Sequence, residues 1–335
     1  MKRHSTIKDI AEDLNLHHTT VSRALRNHPD IKKETRELVV RTARKYNYVP
    51  NTFAKSLRSA KSKTIVVMVP VVKNFFFSEV LGVISNLAFE AGYSVMIYQS
   101  NEAGDIEYQN LEAVKENRVA GVIASVANVE KNKDNYHQLE NTGIPVVLFD
   151  RCYTDVSIPR VKIDNYQGSF DATEYLIQSG RKSIAFYRGS PGNPVFDSRF
   201  RGYKDALIKY GLAFREDLIF KGGLELEDGN SLLRKVTGSG RKIDALICVV
   251  DMVALGVISG ARDSEFDIPG DLALIGFDNE PAGRIISPAL TTVAQPVELI
   301  GSTAFSLLLE LIDGKSPGVE KETILKMELI KRTSA

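Results

Sequence analysis

From Ile65 onward the sequence alternates short apolar runs with longer amphipathic stretches, and few folds accept that rhythm. Ile65-Val66-Val67-Met68-Val69 is continuous, β-branched and short, so it reads as a strand covered on both faces. Helical patterns over 76–91, 106–117 and 136–141 then alternate with strand patterns over 93–98, 119–125 and 145–149. After a break at 151–160 the rhythm restarts, with helices over 166–179, 200–210, 227–236 and 252–262. Strands over 183–187, 218–220, 245–250 and 272–277 lie between them, and 291–293, a helix over 297–313 and a strand over 324–330 follow. Strand–helix alternation at this spacing builds parallel sheets with crossovers on both faces. Two doubly wound α/β halves with a ligand cleft between them satisfy the pattern.

The first sixty residues are different in kind. Ile7, Ile10, Ala11 and Leu14 recur at helical spacing, and Asn15 follows where a sharp turn needs a residue tolerant of the left-handed region. A second apolar face, Val21, Ala24 and Leu25, leaves His18, Thr19, Ser22 and Arg23 outward, so the pair reads as a helix-turn-helix. That outward set suits base edges, since hydroxyl and imidazole groups bond either donors or acceptors and Arg can fork onto guanine. A third helix over 34–48 is expected to close a small core with Leu38, Val39, Ala43 and Tyr46. Pro50 stops it, and Asn51 caps a short basic helix. Residues 1–63 hold fifteen Lys or Arg against six Asp or Glu, while the rest holds 28 against 36, so a net charge of +1 conceals a basic head on an acidic body. That asymmetry is the footprint of a nucleic-acid-binding head.

Thr6-Ile7-Lys8-Asp9-Ile10-Ala11, Thr20-Val21-Ser22-Arg23-Ala24-Leu25, Tyr48-Val49-Pro50-Asn51 and Ala54-Lys55-Ser56-Leu57-Arg58 together resemble the headpiece and hinge of the lactose/galactose repressor family. The resemblance continues to the C-terminus. It implies a helix-turn-helix headpiece over 1–49, a hinge helix and linker over 50–61, and a two-lobed periplasmic-binding-protein-like domain over 62–335. It also implies that the chain crosses between lobes more than once, with 62–160 and 291–322 in one lobe and 161–290 and 323–335 in the other. By the same resemblance the protein is a ligand-responsive repressor of carbohydrate-utilisation genes that binds a pseudo-palindromic operator as a homodimer. His18, Thr19 and Arg23 are expected to read bases, with Thr20 and Ser22 on phosphates. Thr6, Asn51, Ala54 and Arg58 complete the DNA-contacting set, and Leu57 would wedge into the minor groove. A catabolite-control type of regulator, answering to a partner protein, is the alternative.

For the effector cleft the resemblance points to Asn74, Phe75 and Phe76 after the first strand, Arg199 in Asp197-Ser198-Arg199-Phe200, Leu224, Val250, Asp251 and Asp278. Carboxylate and guanidinium groups make charge-assisted bonds to hydroxyls, and an aromatic ring packs on the apolar face of a sugar. The family commonly has Asn where this chain has Val250, Asp where it has Val71, Pro where it has Phe75 and an aromatic where it has Leu224. A pocket so altered points away from an ordinary hexose and towards a larger, phosphorylated or partly apolar effector. His17 stands where Ser or Thr usually caps the recognition helix, which weakens that helix start.

No catalytic or metal site is expected, and no cofactor. Four of the five histidines fall within the first 28 residues, which leaves His137 alone in the large domain. Arg188-Gly189-Ser190-Pro191-Gly192-Asn193 lacks the Lys of a phosphate loop. Cys152 and Cys248 sit in strand-like surroundings and read as buried thiols. The polar, basic start has no apolar signal region, and no run approaches the ~20 residues that span a bilayer, so a cytoplasmic protein is expected.

Overall fold

A computed structural model describes residues 6–46, 48, 62–129, 131–153, 156–189, 192–262, 266–315 and 322–335. The chain divides into two compact units between Ser62 and Lys63.

The first unit contains α1 (Ile7–Asp13), α2 (His18–Leu25) and α3 (Lys33–Lys45). Thr6 opens α1 with a capping box: its hydroxyl accepts from the Asp9 amide, and Asp9 accepts from the Thr6 amide at 2.6 Å. Asn15 takes the expected left-handed turn at φ 49°. Ile10, Val21 and Val39 are fully buried, one from each helix, with Ala11, Ala24 and Ala43 between them. Leu38 departs from expectation. It is 37% exposed, because the inward face of α3 runs through Val39, Thr42, Ala43 and Tyr46, one position further along.

The second unit holds two six-stranded sheets among the described residues. The first contains β1 (Thr64–Val69), β2 (Ser94–Gln99), β3 (Gly121–Ala124), β4 (Val146–Phe149), β5 (Arg160–Ile163) and β11 (Glu322–Leu325), in the order β11-β5-β4-β3-β1-β2 and all parallel. The second contains β6 (Ile184–Arg188), β7 (Ile219–Lys221), β8 (Ala245–Cys248), β9 (Ala273–Phe277), β10 (Thr291–Ala294) and β12 (Glu328–Ile330), in the order β12-β10-β9-β8-β6-β7. Here only β12 runs antiparallel, against β10. β1 shows why the parallel reading works. Val66 and Met68 face one core, while Ile65, Val67 and Val69 face the other, and all five are at 0% exposure.

The crossings between lobes fall later than the sequence suggests. β5 carries residues 160–163 into the first sheet, β10 keeps 291–294 in the second, and the helix Val297–Ile312 returns to the first lobe through Ile300, Ala304 and Leu308. The expected single strand over 324–330 is two strands, one in each sheet, joined at Lys326-Met327. Apolar periodicity cannot register that change, because either sheet would accept the same residues. The two cysteines are free and buried, as expected.

The helices Leu226–Thr237 and Asp251–Arg262 meet backbone to backbone through glycine. A Cβ on Gly229 would lie 2.1 Å from the Val253 carbonyl oxygen, and one on Gly256 2.0 Å from that of Leu226. Gly256→Ala is therefore expected to push the helices apart and cost about 1–3 kcal/mol in urea unfolding. An unchanged midpoint would mean that this crossing tolerates a larger spacing.

Candidate functional site

α2 turns a polar face outward. His18, Thr19 and Arg23 are exposed, Thr20 and Ser22 are partly so, and Val21 and Ala24 fix the opposite face in the core. His17 reverses the expectation of a weak start. Its Nδ1 accepts from the Thr19 amide at 3.4 Å and lies 2.8 Å from Thr19 Oγ1, so an imidazole does the work of a Ser or Thr cap. The rings of His17 and His18 lie 4.2 Å apart, centroid to centroid, at the end of α2 that carries Thr19. Thr6 has its hydroxyl engaged with Asp9 in the capping box. Asn51, Ala54, Leu57 and Arg58 lie outside the described residues.

Between the two lobes of the second unit lies a cavity of about 390 Å³. Asn74, Phe75, Phe76, Arg199, Leu224, Val250 and Asp278 all line it. Asn74 caps the helix Phe75–Glu90 through its Oδ1, which accepts from the Phe77 amide at 3.4 Å and aims the first turn at the cleft. Phe76 serves both core and cavity wall, being 5% exposed and packed with Phe77 at 5.1 Å between ring centroids.

Arg199 reaches the cavity because its helix begins earlier than the apolar pattern indicates. Asn193 Oδ1 accepts from the Val195 amide at 3.0 Å and Pro194 supplies the first position, giving a helix Pro194–Lys209. The Arg199 side chain is 2% exposed. Its Nε donates to Asn165 Oδ1 at 2.8 Å, its Nη1 donates to the Val249 carbonyl, and its guanidinium carbon sits 4.3 Å from the centre of the Phe277 ring. Arg199 and Asp278 form no ion pair within 4.0 Å, and both belong to the second lobe.

Asp278 follows β9 at φ 112°, a conformation L residues rarely adopt. Its Oδ1 accepts from Gln295 Nε2. Burial pushes its pKa up to about 7, against the opposing charge of Arg199 and the Gln295 bond. Asp251 does not line the cavity, contrary to expectation. It is fully buried at the start of its helix, accepting from Thr292 Oγ1 at 2.6 Å and from the Glu280 amide at 2.8 Å. It thereby ties down the loop that carries Asp278, and its own pKa is raised by burial and by the Asp278 charge.

Several lining residues were not legible from residue type. Asp150 and Arg151 follow β4, and Arg151 is held by Glu102 through paired hydrogen bonds, one at 3.1 Å. Their place at the C-terminal end of a parallel strand, where such sheets bind ligands, is the signal that could have found them. Glu280 and Gln295 join the cavity from the second lobe and the crossing segment. Lys73 Nζ reaches Glu225 Oε1 at 2.7 Å, an exposed ion pair that links first lobe to second at the cavity wall.

Residues 6–51 match the family described as bacterial regulatory proteins, lacI family. Residues 173–335 match the periplasmic binding protein-like domain. Catabolite control protein A of Priestia megaterium is 34% identical over 309 residues, covering 92% of this chain and 92% of that protein. The HTH-type transcriptional regulator MalR of Clostridium butyricum is 35% identical over 347 residues, covering 98% of each. Among solved structures, a LacI family transcriptional regulator from Enterococcus faecium with bound ribose is 26% identical with a TM-score of 0.72, covering 81% of this chain and 98% of that one.

Proposed function

Because the chain belongs to the lacI family of bacterial regulatory proteins, and is thus a DNA-binding transcriptional regulator and not an enzyme, we propose that it represses carbohydrate-utilisation genes as a homodimer on a pseudo-palindromic operator, under the control of a small molecule held between its lobes. The observation that carries this reading is the pairing, in one chain, of an exposed His18-Thr19-Arg23 face with a 390 Å³ cavity walled by Arg199, Asp278 and aromatic rings. A genomic operator as target puts the protein in the cytoplasm. No helix among the described residues is long and apolar enough to cross a membrane.

In this reading His18, Thr19 and Arg23 contact base edges, and Thr20 and Ser22 fix the register on phosphates. A dimer doubles the half-site, which is why the operator is two-fold symmetric. The effector acts only to the extent that it binds one lobe arrangement better than the other. Closure over a ligand would remake contacts such as Lys73–Glu225. Arg23→Ala tests the reading helix. A lost guanidinium fork corresponds to about 1–3 kcal/mol, so operator affinity should fall roughly ten- to hundredfold at fixed salt while non-specific binding barely changes. Equal losses on operator and random DNA would reassign Arg23 to the phosphates.

A second reading, catabolite control by a partner protein, is favoured by the similarity to catabolite control protein A. It predicts that a phosphorylated partner protein tightens operator binding in the absence of any small molecule.

A further inference from the structure

The cleft holds more carboxylates than its cations neutralise. Of its charged lining residues, Lys73 is bonded to Glu225, and Arg151 to Glu102. What is left is Arg199 facing Asp150, Asp278 and Glu280, two acids in excess when all are ionised. The surplus is felt: Asp150 and Glu280 each add to the rise in the Asp278 pKa, and Arg199 is the cation that opposes it. Asp251, buried behind the wall, has its own pKa raised in turn by the Asp278 charge. Polar atoms of both kinds remain unpaired, and the carboxylates carry the excess charge. Asp278 is 8% exposed with one carboxylate oxygen engaged by Gln295, and among the described residues its other oxygen has no partner. Gln295 Oε1 is buried with no partner. Arg199 Nη2 is an uncommitted donor, fit for hydroxyl oxygens, while Arg151 Nε is buried without a partner.

A phosphate ester would bring close to two negative charges into this surplus and could be met by one free guanidinium only. An ammonium brings three donors and one positive charge to a wall whose carboxylates are not neutralised. Aromatic rings from Phe75 and Phe76 on the opposite lobe add a face on which a cation or a sugar ring can rest. We propose that the effector is a polyhydroxylated amine, an amino sugar or amino polyol, with its cationic nitrogen against Asp278 and its hydroxyls on Arg199, and that the cleft rejects phosphorylated ligands. This rests on the reading of the cleft as the effector site, and it replaces the phosphorylated effector that residue types alone allowed.

The test is calorimetric titration of the full-length protein with matched ligands: several hexoses, their 2-amino-2-deoxy, N-acetylamino and 6-phosphate forms. One amine is expected to bind about tenfold or more tightly than its own hydroxyl and N-acetyl counterparts, with no binding of the phosphate. Asp278→Asn, which keeps the shape and removes the charge, should bring the amine down to its neutral counterpart while operator binding confirms that the variant is folded. A neutral or phosphorylated member binding as well as its amine overturns the proposal, as does a preference that survives in Asp278→Asn, or a panel in which no amine binds. The two readings fail separately. A neutral sugar that binds and shifts operator affinity sinks the amine and leaves the cleft as the effector site, whereas an effector acting unchanged on Arg199→Ala sinks the cleft.

Discussion

Arg199→Ala is expected to erase the response of operator binding to the effector, moving the half-maximal ligand concentration by roughly a hundredfold or more, while affinity for operator without ligand stays close to that of the parent. Arg199 is buried, and Asn165 and the Val249 carbonyl hold it so that Nη2 is left for a ligand. Removing it also strips Asp278, Asp150 and Asp251 of the cation they share. An uncompensated buried carboxylate costs about 3–5 kcal/mol unless it takes up a proton, so the variant should lose stability above neutral pH as well. Arg199→Lys separates the two effects. A point charge restores much of the stability without the planar fork, so the ligand response should stay impaired while the unfolding midpoint recovers. Operator titrations with and without ligand check the first claim, and an unaltered response in Arg199→Ala would remove this residue from the site.

The unliganded protein should lose stability as pH rises towards and through neutrality, and Asp278 should account for much of the loss. Its folded pKa of about 7 lies above the ordinary aspartate value of 3.8. A folded-state pKa raised in this way favours the folded protein fully below the unfolded value, and that contribution disappears as pH climbs through the folded one. The window therefore runs from about pH 4 to pH 7. A rise of that size corresponds to an upper bound on the order of 4 kcal/mol, before the neighbouring acids that titrate with it are considered. Asp278→Asn carries no charge to bury, so its stability should match the parent near pH 4 and exceed it near pH 8. Urea unfolding of both proteins across this range checks the claim. Parallel pH profiles would show that Asp278 is ionised throughout.

How much of this was legible depended on whether one segment or two decided the outcome. The two parallel sheets were readable at β1, because an apolar run of five residues that is short and rich in β-branched side chains favours a strand covered on both faces. The helix-turn-helix was readable too, since Val21 and Ala24 commit one face of α2 to the core. Crossings between lobes were misplaced by three or four residues, because Val161, Ile163 and Val293 suit either sheet and only tertiary pairing decides. Leu38 was lost to a one-position shift in the phase of α3. Asp251 matched the expected position but turned its carboxylate to Thr292 and the Glu280 amide, which no spacing reveals. Arg199 was assigned from its motif, yet the cap at Asn193 that carries it inward lay outside the apolar pattern. The charge balance of the cleft depends on Asp150 and Glu280, which stand 130 residues apart in the sequence and meet only in the folded lobes.

The most direct measurement is selection of genomic fragments by the purified full-length protein at a fixed salt concentration, alongside Arg23→Ala. Enrichment of one short two-fold symmetric sequence, lost with Arg23→Ala, is the predicted result, and the genes beside it would carry the effector's chemistry. Enrichment of no sequence, or of the same sequence equally by both proteins, would contradict a regulator that reads its operator through the exposed face of α2.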